Sequence, residues 1–285
     1  MTAPTRPSLR PGLRLRARSL ALALALPLAL GGCAHLAAPA APQAAAAPAP
    51  AEARAALAPT GVLRVGVYPG SPTSLVTTRS GERAGVSLEL GTLMAQRLGV
   101  PVKVVEFSRV AQVVEAVQAG EVDFTFTNAT EARAKLVDFT PPLVRLELGY
   151  LAPAGSPIAE VGQVDRAGVR VGVSQGSSSQ GALPGLLKQA RVVPVPSLAE
   201  AAAQLKAGGL DLFATNKGIL FELGDSLPGA RVLDGRWGFE QLAIAVPKGR
   251  PAGMPWLRDF AQQVRAQGQL QAMASRAGLR GLAAD

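Results

Sequence analysis

Arg133 is placed to grip an anion. It lies in the run VDFTFTNATEARAKLVDFT, from Val122 to Thr140. The run predicts a buried strand over 122–126, a short polar loop, and a helix start with Thr130 as N-cap and Glu131 in the first turn. Arg133 then falls at the third helical position. The free backbone N–H groups of the helix start and the guanidinium both face the carboxyl end of the sheet. Ligands collect at that edge in open α/β sheets. For this residue alone, a surface arginine in an ordinary first turn is the plainer reading. A second candidate is Gly176-Ser177-Ser178, a turn after a predicted strand and before a predicted helix. Its N–H and hydroxyl groups suit an anion; its plainer reading is a serine-rich N-cap.

Much other chemistry is excluded. The one histidine, His35, and the one cysteine, Cys33, both precede the predicted body. The body therefore has no thiolate or imidazole metal cage and no Ser-His-Asp or Cys-His nucleophile. Gly172 to Ser179 is rich in glycine and serine but lacks the lysine of a phosphate loop, and there is no dinucleotide fingerprint. No metal and no cofactor are expected. The formal charge of +9 falls to about +4 without the five arginines at positions 6, 10, 14, 16 and 18. With no Lys/Arg block and little aromatic interleaving, no nucleic-acid partner is expected.

Those five arginines form the basic start of a signal peptide, residues 1–33. Leu20 to Leu30 is an Ala/Leu run, too short to span a membrane. It ends in Leu30-Gly31-Gly32-Cys33, a lipobox-like site, so Cys33 is expected to carry a lipid anchor. Ala34 follows, with no Asp to retain the protein in the inner membrane, and the choice between inner and outer membrane stays open. Residues 34–59 are mostly Ala and Pro and read as a tether.

From residue 60 onward, strand-like and helical segments alternate. Strands are expected at 63–67, 102–106, 122–126, 169–173, 191–195, 210–214 and 242–246. Helices are expected at 87–98, 110–119, 131–136, 179–189, 198–206 and 217–223, with a helical arm over 254–277. This is an α/β pattern with mostly parallel sheets, and its rhythm occurs twice.

In order and spacing these segments resemble the family 3 periplasmic solute-binding proteins, which deliver polar amino acids and related solutes to ABC importers. The matching pieces are Thr130, Arg133 and Val137-Asp138-Phe139-Thr140, with LRVGV at 63–67, ELGTLMAQRLGV at 89–100, VQAGEVD at 117–123, GVRVGVSQGSSS at 168–179 and LAIAVPKG at 242–249. The resemblance implies an α/β, two-lobed periplasmic-binding-protein-like fold of type II, a monomer that closes on its solute. Lobe 1 would comprise residues 60–149 plus 243–285, and lobe 2 residues 150–242. Crossover strands near 148–152 and 243–246 would join them.

The same resemblance implies site roles. Arg133 would grip a ligand carboxylate, with Asn128 adding an amide contact and Ser177 and Ser178 donating from the second lobe. Tyr68 stands in the first loop, where relatives offer an aromatic lid, but PGSPTSLVTT follows with no Phe. Amino-acid binders place an Asp for the ligand ammonium where this chain has Asn216, followed by Lys217. Asn cannot neutralise an ammonium. A carboxylate without an ammonium therefore fits as well as an amino acid does, and is slightly preferred.

The expected function is thus a lipid-anchored periplasmic protein capturing an amino acid or related organic acid for an ABC permease, and not an enzyme. One alternative is a ligand-sensing module at the membrane. Another is a dehydratase on the same fold, disfavoured because the second-lobe rim offers no Glu or Asp as proton donor.

Overall fold

A computed structural model describes residues 49–283. The signal peptide, Cys33, His35 and most of the tether lie outside the described residues. The tether nevertheless ends earlier than expected. Helix α1, Ala51–Leu57, stands inside the stretch assigned to it. Leu57 is fully buried against Gly253, where a Cβ would come within 2.6 Å of the Leu57 side chain. Arg250 Nη1 donates to the Leu57 carbonyl at 3.1 Å. A proline-free, alanine-rich run with Glu52 in its first turn has the propensity for a helix, and Leu57 gives it an anchor.

The first lobe opens with β1, Leu63–Val67, then a small hairpin of β2, Val76–Thr77, and β3, Arg83–Ala84. Helix α2, Val86–Leu98, follows and ends at Gly99 in the left-handed conformation. It buries Val86, Leu90, Met94 and Leu98, one apolar residue every fourth position. Next come β4, Val102–Glu106, parallel to β1, and α3, Val110–Gln118. Strand β5, Thr125–Asn128, leads into α4, Glu131–Ala134, and β6, Val137–Phe139. Strand β7, Val144–Ala152, leaves this lobe.

The second lobe contains β8, Arg170–Ser174, α5, Ser178–Leu186, β9, Arg191–Val195, and α6, Leu198–Ala207. It continues with β10, Leu212–Asn216, α7, Lys217–Ser226, and β11, Arg231–Val232. Strand β12, Gly238–Pro247, returns the chain to α8, Met254–Ala266, and α9, Gln269–Arg276. The arm expected over 254–277 is thus two helices, broken at Gly268 with φ +68°.

One sheet runs through both lobes in the order β5-β12-β7-β10-β8-β9. Its second-lobe strands β10, β8 and β9 are parallel, as expected. The crossover strands are antiparallel to their neighbours: β12 pairs with both β5 and β7, and β7 with β10. Several separate sets of buried side chains fill the lobes. One gathers Leu63, Leu90, Met94 and Phe260; another gathers Tyr150, Val171, Val173 and Leu212.

The repeated rhythm has a structural cause. AGEVDFTFTN at 119–128 and AGGLDLFATN at 207–216 share a helix-ending glycine, an aspartate and a terminal Thr-Asn. Gly120 and Gly208 both adopt positive φ. Asp123 then accepts from the backbone N–H of Arg64 at 3.0 Å and from its Nε and Nη2 at 2.8 Å. Asp211 does the same for Arg170, with its backbone N–H at 2.7 Å. Asp123 is also held by Arg250 at 2.8 Å and is fully buried. The strand expected from Val122 is displaced: Phe124 bridges in parallel to Val65 of β1, and the ladder of β5 to β12 starts at Thr125.

Candidate functional site

Tyr68, Asn128, Arg133, Ser177, Ser178 and Asn216 line one enclosed cavity between the lobes. Thr73, Thr127, Ser174, Thr215 and Glu240 add to its polar wall. The free space is about 20 Å³, enough for about one water. A solute therefore enters only when the lobes part. Asn128 Nδ2 donates to Ser178 Oγ at 3.2 Å across the cleft, and Tyr68 packs on the second lobe's apolar core.

Arg133 is presented by the helix start the sequence predicted. Thr130 Oγ1 accepts from the Arg133 backbone N–H at 3.2 Å, as an N-cap does. The side chain is turned inward: Arg133 is 8% exposed. Its Nη1 donates to Thr127 Oγ1 at 2.8 Å and to the Asn128 carbonyl at 3.3 Å. The Nε and Nη2 groups make no hydrogen bond among the described residues. Burial lowers its pKa, while the negative charge of Glu240 works the other way.

Other expected donors are already engaged. Ser177 is the N-cap of α5 and accepts from Gln180 N at 3.3 Å. The Gly176 N–H, expected to face an anion, instead donates to Gln180 Oε1 at 2.6 Å. Asn128 Oδ1 accepts from the Gln241 backbone at 2.9 Å, so this side chain ties β5 to β12 as well as to Ser178. Tyr68 donates its hydroxyl to Ser71 Oγ at 3.2 Å, and burial raises its pKa.

Asn216 differs most from expectation. Its Oδ1 caps α7 by accepting from Ile219 N at 3.1 Å, and its Nδ2 donates to Glu240 Oε2 at 2.9 Å. Both polar ends are thus used inside the protein. Lys217 pairs with Glu147 at 2.7 Å. Two other acids are engaged elsewhere. Asp211 is taken by Arg170, and Glu89 by Arg276.

The cleft does contain an acid, and sequence reading missed it. Glu240, on the returning strand β12, is 7% exposed. Its Oε1 accepts from Ser178 Oγ at 3.3 Å and its Oε2 from Asn216. Burial raises its pKa; the Arg133 charge, Asn216 and Ser178 oppose that rise. No ion pair joins Glu240 to Arg133 among the described residues. A signal existed in the sequence. Glu240 lies in phase with the buried Leu242 and Ile244, with the exposed Gln241 beside it on the opposite face.

Among the described residues no group of His, Cys, Asp or Glu could hold a metal ion. What the cavity offers is a buried guanidinium with open donors, a buried carboxyl, and neutral hydroxyls and amides. That is equipment for binding a small polar solute. A family model for bacterial extracellular solute-binding proteins, family 3, matches residues 63–278. The chain belongs to that family. Among curated relatives, the ABC transporter glutamine-binding protein GlnH of Bacillus subtilis (strain 168) is 27% identical over 177 residues. That match covers 61% of this chain and 64% of the relative, so the chain spans less than two thirds of the relative's length. A solved solute receptor for L-cysteine of Neisseria gonorrhoeae is 26% identical with a TM-score of 0.69, covering 79% of this chain and 92% of that one. The ancestral amino acid-binding protein AncCDT-1, a precursor of cyclohexadienyl dehydratase, shares the fold at 23% identity and a TM-score of 0.68, over 78% of this chain and 98% of its own. The type II periplasmic-binding fold is therefore the fold of this family 3 chain.

Proposed function

We propose that this chain captures a small carboxylate-bearing solute, an amino acid or a related organic acid, between its lobes and presents it to an ABC permease. The buried Arg133, which lines the cavity and spends only its Nη1 on side-chain hydrogen bonds, carries this reading. A guanidinium out of water favours a carboxylate partner that can take two of its donors at once. Its Nε and Nη2 remain for such a pair. The similarity to GlnH and to the L-cysteine receptor supports an amino acid as the solute class. A thermal-shift screen of the L-amino acids and their deaminated counterparts tests it. Stabilisation by at least one at micromolar concentration is expected; no stabilisation by any carboxylate would refute the proposal.

Family membership supports an extracellular or periplasmic location, and the signal-like N-terminus supports lipidation at Cys33. In a lipoprotein-processing host, Cys33→Ser is expected to move the protein from the membrane fraction to the soluble periplasm or to leave it unprocessed. Unchanged membrane association would count against the anchor.

A dehydratase reading gains one observation. The proton donor thought missing is present as Glu240, a buried carboxyl with a raised pKa. We still favour binding without turnover, on family membership. Incubation with prephenate distinguishes the two, since any Glu240-dependent consumption would establish an enzyme.

A further inference from the structure

We infer that residues 278–283, the segment after α9, form a strap that joins the two lobes a third time and favours the closed cleft. The strap sets how readily the lobes part, whatever solute the cleft takes.

The segment leaves α9 through Gly278, in the left-handed conformation with φ +65°. Leu279 is 9% exposed and belongs to the first-lobe core with Leu146, Leu242 and Phe260. Its other flank meets the second lobe. A Cβ built on Gly218, in the first turn of α7, would come within 2.6 Å of Leu279 Cδ1. The side chain that Gly218 lacks is thus the socket for Leu279. Gly281 has φ +82°, and a Cβ there would collide with Lys217 Cβ. Between them, Arg280 pairs with Asp225 at 2.7 Å and lies over the Phe221 ring at 4.7 Å. Both partners are on α7. The ion pair is exposed and adds little alone; the buried contact is Leu279 in its socket.

The strap also widens the hinge. The Glu147 N–H donates to the Gly281 carbonyl and the Ala283 N–H to the Arg145 carbonyl, each at 3.0 Å. Leu282 bridges Leu146 in antiparallel register. Strand β12 holds the other edge of the same stretch of β7, and β10 begins its pairing only at Leu148. The hinge is therefore three strands wide at 145–147.

The link to the cleft runs through α7. Asn216, its N-cap, and Ile219, in its first turn, both line the cavity. Gly218 lies between them and receives the strap. One helix end thus carries cleft wall on one side and the strap's socket on the other. Contacts between lobes that exist in the closed arrangement favour it over the open one. When the lobes part, α7 turns away from the first-lobe core. Leu279 must then leave its socket or be drawn out of that core, and either loses buried apolar contact.

The test reads the separation of the lobes with no solute added. Spin labels go on Lys135→Cys in the first lobe and Lys206→Cys in the second, both exposed positions, in an otherwise full chain carrying Cys33→Ser. Double electron–electron resonance then gives the distance distribution. Leu279→Ala empties the socket. Gly218→Ala fills it and favours the helix itself, so it decides alone if Leu279→Ala does not fold. Met273→Ala is the control, since Met273 is buried in the same first-lobe core, on α9. Both strap variants are expected to shift the distribution to longer distances and to speed amide exchange in the first turn of α7. Met273→Ala is expected to keep the wild-type distances. Wild-type distances in the strap variants would overturn the inference. A shift of equal size in Met273→Ala would also overturn it, because loosening of the first lobe would then suffice. Neither result touches the reading of Arg133.

Discussion

Arg133→Ala is expected to weaken solute binding at least tenfold. Truncating one partner of a buried, hydrogen-bonded charge pair costs about 2–5 kcal/mol, and about 1.4 kcal/mol is already a factor of ten. Arg133 meets the conditions for the upper part of that range. It is enclosed, and its Nη1 is held by Thr127 and the Asn128 carbonyl. The fold should survive, because no buried carboxylate of the apo protein depends on Arg133 for an ion pair among the described residues. Calorimetry with the solute found by the thermal-shift screen measures the loss, and circular dichroism checks the fold. Equal affinities for mutant and wild type would remove Arg133 from the site.

Asp123→Ala is expected to be the most damaging single change to stability, costing about 3–5 kcal/mol in denaturant unfolding. Asp123 is fully buried and neutralises two arginines, Arg64 and Arg250, while also satisfying a backbone N–H. Alanine would strand all three. The equivalent residue of the second repeat, Asp211, serves one arginine and keeps 34% of its side chain exposed. Water can replace much of what Asp211→Ala removes, so that change is expected to cost about 1–2 kcal/mol. Equal losses at the two positions would contradict the assignment of the first clamp as the buried one.

Local chemistry made part of this legible in the sequence. The helix start at Thr130 and Arg133 was readable because an N-cap and a first turn are set by neighbours in the chain. The serine turn was readable as a helix start for the same reason, but not the fact that Gln180 occupies the Gly176 N–H. Helix α1 was masked by its surroundings. It follows a proline-rich run, and its one large apolar residue finds its contact at Gly253, far away in sequence. The role of Asn216 and the presence of Glu240 depend on a pairing between β10, α7 and β12 that no local window contains. An acid on the buried phase of a strand was the visible clue. Its partners were not visible, because they come from the start of α5 and the end of β10.

The two crossover strands have a mechanical consequence. Residues 144–148 of β7 and 238–242 of β12 lie side by side in antiparallel register. A laddered ribbon bends easily across its width but resists sliding along its length, since sliding would break its rungs together. The lobes must therefore part like the covers of a book, not shear past each other. Glu240 is written on the spine of that book, opposite Leu146, whereas Arg133 and Ser178 are on its pages. During opening the spine residue sweeps the shortest arc. The acid thus keeps its place while the arginine and the serine turn away from it and come back.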